Sequence, residues 1–197
     1  MVAVSEPTAA APITRHVERE GAQTHIVFGS ATVPHSDPRR YALALVSMLL
    51  GGGMSSRLFQ RVREEMGLAY SVYTFQSFHA DAGMQGVYVG TAPETAQQAA
   101  DAIRDELRLV AEQGFPEAEV AAGRRQLKGQ MTLSMDSVSA RMYQAAGTEL
   151  YDEPYQTLDE VLARVDAIDA DTVAGVCRDF FAPDRQTVVS LGPRGAG

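Results

Sequence analysis

The sequence is poor in the residues that build metal and disulfide sites. Its 197 residues include one cysteine, four histidines and no tryptophan. A single cysteine excludes an internal disulfide and any cysteine-rich zinc module. The histidines are His16, His25, His35 and His79. No two of them are four positions apart, so no helix can present two imidazoles to one zinc ion, and we expect no zinc site built from this chain alone.

The sequence also lacks long apolar runs and an excess of positive charge. No run approaches the roughly 20 apolar residues that a membrane-spanning helix needs, so we expect no membrane partner. The 17 basic and 25 acidic side chains give a formal net charge of −8, and an acidic chain without a basic cluster is not expected to bind nucleic acid. The start of the chain has neither the basic nor the apolar segment of a secretory signal. These absences predict a cytoplasmic protein, although a fragment would have lost an upstream signal.

Signals for nucleophilic and phosphate chemistry are missing as well. No G-x-S-x-G sequence occurs, and the glycines Gly51, Gly52 and Gly53 are not followed by the lysine of a phosphate-binding loop. Cys177 shares a predicted helix face with Val173 and other apolar residues. This position favours a core residue over a reactive thiol.

Apolar periodicity divides the rest of the chain into strands and helices. Residues 1–20 contain prolines but no amphipathic pattern, which predicts a flexible linker or tail before a single domain at 21–197. Period-two alternation and β-branched or aromatic content predict strands at 23–33, 69–78, 84–91 and 186–191. Helical spacing of apolar residues predicts helices near 36–50, 55–66, 93–114, 116–135, 137–151, 158–168 and 171–181. The second and third strands form a hairpin, so the order predicts an α+β domain with a mainly antiparallel sheet packed against several helices.

The stretch from Gly51 to Val72 carries the most chemical information. Three glycines lead to a basic helix, and Gly67 then leads to a strand. Arg63 lies near the end of the helix and Tyr70 near the start of the strand, so a chain reversal at Gly67 can bring a guanidinium and a phenol to one surface. Together these groups can hydrogen-bond a carbonyl or a developing oxyanion. The residues alone leave two other readings open, in which Arg63 pairs with Glu64 and Tyr70 belongs to the core.

The sequence GGGMSSRLFQRVREEMGLAYSVYT resembles the signature of the C-terminal half of pitrilysin/insulinase-type zinc metallopeptidases, which include mitochondrial processing peptidase and its bacterial relatives. The resemblance extends over about residues 21–193. It includes a first strand (QTHIVFGS), a helix, glycine loop and helix (DPRRYALALVSMLLGGGMSSRLFQ), a strand with the next helix start (DAGMQGVYVGTAPE), a later helix pair (RRQLKGQMTLSMDSVSARM) and a final strand (VVSLGP).

The resemblance implies a fold and a division of labour. Such enzymes pair two homologous halves that face each other like a clamshell. One half carries the zinc motif His-x-x-Glu-His, and the other lacks zinc but contributes an arginine and a tyrosine seven residues apart, which here are Arg63 and Tyr70. These two residues are expected to bind the substrate backbone and stabilise the tetrahedral intermediate. Because the zinc motif is absent, the chain is identified as the non-zinc half and is expected to be inactive alone.

The resemblance also implies a substrate-binding loop, a partner and a peptide substrate. The loop comprises Gly51, Gly52, Gly53 and Ser55. The partner is the zinc-bearing half or subunit, and zinc is expected there rather than in this chain. The family usually has glutamate in the sequence LSLE, where this chain has Asp136 in LSMD, so no role is carried over to that position.

Three functional hypotheses remain at this stage. The first is an enzyme part, and the retention of both Arg63 and Tyr70 favours it. The second is a structural or interaction subunit of the same fold, because relatives serve as core subunits of a respiratory complex. The third is an unrelated α+β binding domain. An isolated half should expose the surface that normally faces its partner, so a homodimer is also an expectation.

Overall fold

The structure is a computed structural model that describes residues 11–193. In this part of the chain, five strands form one sheet in the order β1-β5-β2-β4-β3. Only β1 and β5 pair in parallel, and the other neighbours are antiparallel. The mainly antiparallel α+β fold is therefore confirmed. The strands are β1 (Thr14–Glu18), β2 (Thr24–Thr32), β3 (Ser71–Phe78), β4 (Gly83–Thr91) and β5 (Thr187–Gly192).

The predicted helices are present with small changes at their ends. The α-helices are α1 (Arg39–Gly51), α2 (Ala96–Gln113), α3 (Glu117–Ser134), α4 (Val138–Leu150), α5 (Leu158–Asp166) and α6 (Ala170–Phe180). The helix predicted near 55–66 is mostly a π-helix, Phe59–Glu65. Among residues 11–193, no helix has both the length and the apolar content to cross a membrane.

The core lies between one face of the sheet and the helices. Phe28 of β2 is paired with Val87 of β4 and Val188 of β5, and all three side chains are buried. Alternate strand residues point to the same face, so this row marks the inner face of the sheet. Helices α1, α2 and α6 cover it with buried residues that include Leu43, Leu45, Ile103, Leu107, Val173 and Val176.

Cys177 belongs to this core, as the sequence predicts. Its side chain is buried, and burial raises the pKa of its thiol to about 12. The thiolate is the reactive form of cysteine, so this residue contributes packing rather than chemistry.

The opposite face of the sheet is not covered by any helix of residues 11–193. Its residues include Val17, Tyr73, Met84, Tyr88 and Val189, which we call the open face. Tyr88 is paired with Tyr73 on one side, and Val189 lies in the same row two strands away. Four of these five side chains are exposed, and Tyr88 is half-buried. A sheet with one packed face and one uncovered apolar face is typical of a domain that receives a partner there.

The prediction of a flexible segment up to residue 20 is wrong for part of its length. Strand β1, Thr14–Glu18, pairs with β5 at the edge of the sheet, although all five of its residues are exposed. The pairing joins backbone groups that are 174 positions apart, so no local apolar pattern reveals it. Residues 1–10 of the predicted tail lie outside the described residues.

Candidate functional site

The first two glycines of the predicted loop have packing roles. Gly51 is the last residue of α1, and an added Cβ would lie 2.7 Å from both the backbone nitrogen and the Cγ2 atom of Thr74 in β3. The Thr74 hydroxyl in turn donates a hydrogen bond to the carbonyl of Ser47, at 2.6 Å. A Cβ on Gly52 would lie 2.6 Å from the Cα atom of Met48. Gly51 therefore allows the end of α1 to pack closely against β3, and Gly52 allows the chain to pass close to the last turn of α1.

The rest of the loop, residues 53–55, is exposed, and hydrogen bonds from the following helical segment hold its backbone in place. A Cβ on Gly53 would meet no atom within 4 Å, and Ser55 is exposed. The buried Ser56 donates from its hydroxyl to the carbonyl of Gly53 at 2.6 Å, and the side-chain amide of Gln60 donates to the carbonyl of Met54 at 2.6 Å. The segment 53–55 is thus the accessible part of the predicted substrate loop, and its contact with substrate stays a prediction.

One side of the helical segment 57–65 packs in the hydrophobic core. Leu58 and Val62 are fully buried. The amide of Met66 donates to the carbonyl five residues earlier, that of Arg61, at 3.1 Å, which is the hydrogen bond of a π-helix. Gly67 then reverses the chain with a φ of 63°, a left-handed conformation that glycine adopts without strain. This geometry ends the helix and starts the approach to β3.

A partly buried ionic cluster fixes this segment to two other helices. Arg57 makes two hydrogen bonds to Glu119 of α3, at 3.1 and 3.0 Å, and one to Glu106 of α2, at 3.4 Å. Its guanidinium also lies 4.4 Å from the centre of the Phe115 ring. Burial alone would lower the pKa of Arg57, but its bonds to Glu119 and the charges of both glutamates raise it above the usual value.

One residue in the sequence signals this cluster, although the apolar patterns described above do not predict it. Glu106 is 4% exposed and lies at a position of α2 that continues the apolar face of Ile103, Leu107 and Val110. A carboxylate on an apolar face requires a cationic partner, because an unpaired buried charge is costly. The identity of that partner is a matter of tertiary structure, since Arg57 is 49 positions earlier.

Arg63 and Tyr70 are both accessible, on either side of Gly67. The Arg63 side chain is 44% exposed, its guanidinium lies 4.8 Å from the centre of the Phe59 ring, and its Nε atom is 4.0 Å from a carboxylate oxygen of Glu64. Tyr70 is 58% exposed, so it does not belong to the core. Its backbone amide donates to the carbonyl of Gly90 at 2.8 Å, which fixes it at the start of β3.

The structure does not join the two side chains directly. Among residues 11–193, no hydrogen bond links Arg63 with Tyr70, and none is accepted or donated by the Tyr70 hydroxyl. The Tyr70 hydroxyl is therefore available to a ligand, whereas the accessible Arg63 guanidinium already has Glu64 and Phe59 as neighbours. The chemistry they offer is hydrogen-bond donation from a guanidinium and from a phenol hydroxyl.

An aromatic patch on the open face adjoins the start of β3. The Tyr73 and Tyr88 rings are stacked with centres 4.8 Å apart, and the Tyr88 hydroxyl lies 2.7 Å from Nδ1 of His25. Strand register places Ser71 opposite Gly90, next to Tyr70. The pattern of single strands does not indicate this patch, because it depends on the register of three strands.

The described residues do not fit a zinc site. Within 11–193, no group of three or more histidine, cysteine, aspartate or glutamate side chains is arranged to hold a metal ion. Each histidine has another polar side chain as neighbour: His16 with Ser190, His25 with Tyr88, His35 with Glu153 and His79 with Ser77.

Comparison with known proteins gives a consistent result. The sequence model of the family described as peptidase M16 inactive domain matches residues 2–127. A protein of Streptomyces coelicolor named as an uncharacterized zinc protease is 38% identical over 177 residues, which are 90% of this chain and 38% of that relative. The chain thus spans less than half the length of this relative.

Two solved structures have the same fold. The crystal structure of a peptidase M16 inactive domain from Pseudomonas fluorescens superposes with a TM-score of 0.88 at 22% identity, covering 98% of this chain and 46% of that one. A chain of complex III2 from Candida albicans superposes with a TM-score of 0.81 at 17% identity, covering 92% of this chain and 46% of that one. At these identities the likeness concerns the fold alone.

Proposed function

The chain belongs to the peptidase M16 inactive-domain family, and from that membership we propose that it is the non-zinc half of a zinc endopeptidase. The observation that carries the proposal is the pair Arg63 and Tyr70, which are seven positions apart and present exposed donor groups beside Gly67. A purely structural domain has no chemical need for this pair. The relative named as a zinc protease is more than twice as long as the aligned segment, which leaves room for a second half.

In this proposal, a zinc-bearing half is the partner and a peptide is the substrate. The partner would supply the zinc ion, which polarises the scissile carbonyl and activates water. The open face is the surface that such a partner covers, because Tyr73, Met84 and Val189 are exposed apolar side chains on a sheet without a second helical layer. The cytoplasmic location remains a prediction from the sequence.

Arg63 and Tyr70 then act as hydrogen-bond donors to the peptide. The Arg63 guanidinium would bind a carbonyl or the oxyanion that forms from it, and the Tyr70 hydroxyl would donate a second hydrogen bond. Loss of one such donor in a preorganised site costs about 10²–10³ in rate. Both donors are preorganised. The ion pairs of Arg57 hold the helical segment that carries Arg63, and the hydrogen bond to Gly90 holds the backbone of Tyr70, so neither backbone has to move.

The accessible segment 53–55 completes the proposed site. Gly53 allows a peptide backbone to approach without a Cβ in between, and the Ser55 hydroxyl can donate or accept one hydrogen bond. Gly51 and Gly52 support this segment from below, through their packing on Thr74 and Met48. In this proposal, Gly51 and Gly52 therefore position the segment 53–55 and do not themselves touch the substrate.

Reconstitution tests the proposal. The chain is mixed with a zinc-bearing half, and kcat/KM for a peptide is measured for the wild type, Arg63→Ala, Tyr70→Phe and the exposed control Arg108→Ala. We expect losses of about 10²–10³ for each site variant and none for the control. Equal rates for all four mixtures would remove the catalytic assignment. The chain alone is expected neither to cleave the peptide nor to bind zinc in a 1:1 ratio.

The alternative function is that of a structural subunit. The fold shared with a chain of complex III2 favours keeping this candidate, although it concerns the fold alone. The two functions give different results in reconstitution. A structural subunit would bind its partner with the same affinity whether or not Arg63 and Tyr70 are present, and it would add nothing to the peptidase rate.

A further inference from the structure

Helix α4 carries an apolar surface that the proposed site does not use. It is an α-helix of 13 residues without a single buried side chain. The described chain has 14 exposed large apolar residues, and six of them lie in the 23 positions from 133 to 155. These six are Leu133, Val138, Met142, Tyr143, Leu150 and Tyr155. Three of them, Val138, Met142 and Tyr155, line one surface depression and so form a contiguous apolar patch, a feature that marks an interaction surface.

The helix is attached to the domain mainly at its C-terminal end. The hydroxyl of Tyr151 donates to the carbonyl of Phe78 at 3.0 Å, and Glu153 bonds Arg40 and His35 at 3.0 Å. Gln144 adds one hydrogen bond to the carbonyl of Gln156. A cavity of about 400 Å³ separates the remainder of α4 from α1, α3 and α5. The outward side of α4 is thus exposed to solvent.

One face of α4 is arranged symmetrically about its centre. Val138, Arg141, Met142, Ala145 and Glu149 follow the spacing 3, 1, 3 and 4, which places them on one side of a helix, and all five are exposed. We call this side the α4 face. Arg141 lies four residues before Ala145 and Glu149 four residues after it. The α4 face therefore has opposite charges at equal distances from a small residue.

We infer that the α4 face pairs antiparallel with the same face of a second copy of this chain. A two-fold axis beside Ala145 brings Arg141 of each copy opposite Glu149 of the other, so one contact produces two ion pairs. The small side chain at the axis allows the close approach of about 8 Å that helix pairs reach. Self-complementarity of this kind is what an isologous dimer contact requires.

This dimer is compatible with the proposed function but does not depend on it. The attachment of α4 contacts Phe78, the last residue of β3, whereas Tyr70 precedes the first residue of that strand. An eight-residue strand is about 26 Å long. The attachment of α4 and the donors Arg63 and Tyr70 consequently lie toward opposite ends of β3, so the dimer contact does not cover the two donors.

Charge exchange tests the pairing without any activity measurement. Sedimentation equilibrium gives the dimer dissociation constant for the wild type, Arg141→Glu, Glu149→Arg and the double exchange. Each single change converts two attractive contacts into two repulsive ones and should weaken the dimer about ten- to a hundredfold. The double exchange restores opposite charges and should recover most of the affinity. Arg108→Glu, on the exposed side of α2, is the matched control and should change nothing.

A cross-link tests the position of the axis. Ala145→Cys introduces a thiol beside the two-fold axis, and the native Cys177 is buried and does not compete. Mild oxidation should give a disulfide-linked dimer, whereas Gly129→Cys on α3, which is exposed and has open space around its Cβ position, should not.

Three results would overturn the inference. The first is a monomer at every concentration, and the second is a dimer that none of the charge variants weakens, which would place the contact on another surface such as the open face. The third is a monomer whose charge variants bind the zinc-bearing half less tightly, which would assign the α4 face to that partner. Failure of peptide cleavage in reconstitution would leave the dimer unaffected, so the two proposals can be refuted separately.

Discussion

Alanine substitution of single glycines can separate packing from substrate contact within the glycine loop. Gly51 and Gly53 are two positions apart and have opposite surroundings. A Cβ on Gly51 would lie 2.7 Å from two atoms of Thr74, one of them backbone, whereas a Cβ on Gly53 would meet nothing within 4 Å. We therefore expect Gly51→Ala to destabilise the fold and Gly53→Ala to be tolerated.

The magnitude follows from the displacement that the methyl group requires. Ordinary contact begins at 3.4 Å, so α1 and β3 must separate by about 0.7 Å where they are most closely packed. Overpacking of this kind costs about 1–3 kcal/mol, partly offset by the better helix propensity of alanine, up to about 1 kcal/mol. Gly53 has no positive φ, so alanine there gains about 0.4–1 kcal/mol by restricting the unfolded chain.

The two variants should consequently differ by about 2 kcal/mol. For a domain of this size, that difference corresponds to about 4–8 °C in Tm, and thermal unfolding followed by circular dichroism resolves it. A Gly51→Ala variant that melts at or above the Tm of Gly53→Ala would refute the packing argument. In reconstituted enzyme, Gly53→Ala should raise KM if the accessible segment contacts the peptide backbone.

Three further predictions concern the buried charges and the thiol. Arg57→Met leaves the buried carboxylate of Glu106 with the more distant Arg61, at 3.9 Å, as its cationic neighbour, and should lower the free energy of unfolding by about 1–3 kcal/mol; Arg108→Met, an exposed control, should cost at most about 1 kcal/mol in the same urea titration. Cys177 should resist a thiol reagent at pH 8 in the folded protein and react on unfolding in urea, because burial raises its pKa to about 12. Burial opposes ionisation of Glu153, but hydrogen bonds from His35 and Arg40 hold its pKa below the usual 4.5. Its contribution to stability is therefore complete above pH 4.5 and is lost as the pH falls through the lowered pKa, so Glu153→Gln should flatten the acid limb of the stability curve.

Most of the fold can be predicted from the sequence because each element buries one regular face. The alternation of Ile26 and Phe28 with less apolar neighbours identifies β2, and the spacing of Ile103, Leu107 and Val110 identifies α2. The hairpin of β3 and β4 follows from two such strands with a short connection. These signals are local, so they can be read without knowing what the faces pack against.

The features that sequence patterns miss depend on distant partners. Strand β1 is held by the backbone of β5 and has no buried side chain. The π-helix is indistinguishable from an α-helix in its apolar spacing, since Leu58 and Val62 satisfy both. The cluster of Arg57 with Glu106 and Glu119 joins three segments. The candidate pair Arg63 and Tyr70, by contrast, is indicated by the local pattern around Gly67 and by the family resemblance, and the structure adds the exposure of both side chains.

The exposure of Arg63 bears on what the isolated chain can do. In water, a unit charge at 4 Å interacts with another by about 1 kcal/mol, whereas near a protein surface the figure is about 4 kcal/mol. The half-exposed Arg63 lies 4.0 Å from Glu64, and the net contribution of such an exposed pair to stability is about 0.2–1 kcal/mol, because desolvation and lost side-chain freedom offset the attraction. In the proposed enzyme, a partner that covers this surface would exclude water and so strengthen the interaction of the guanidinium with a developing oxyanion. The fold alone therefore gains little from Arg63, and Arg63→Ala should leave the stability of the isolated chain within about 0.5 kcal/mol of the wild type while lowering the rate of the assembled enzyme.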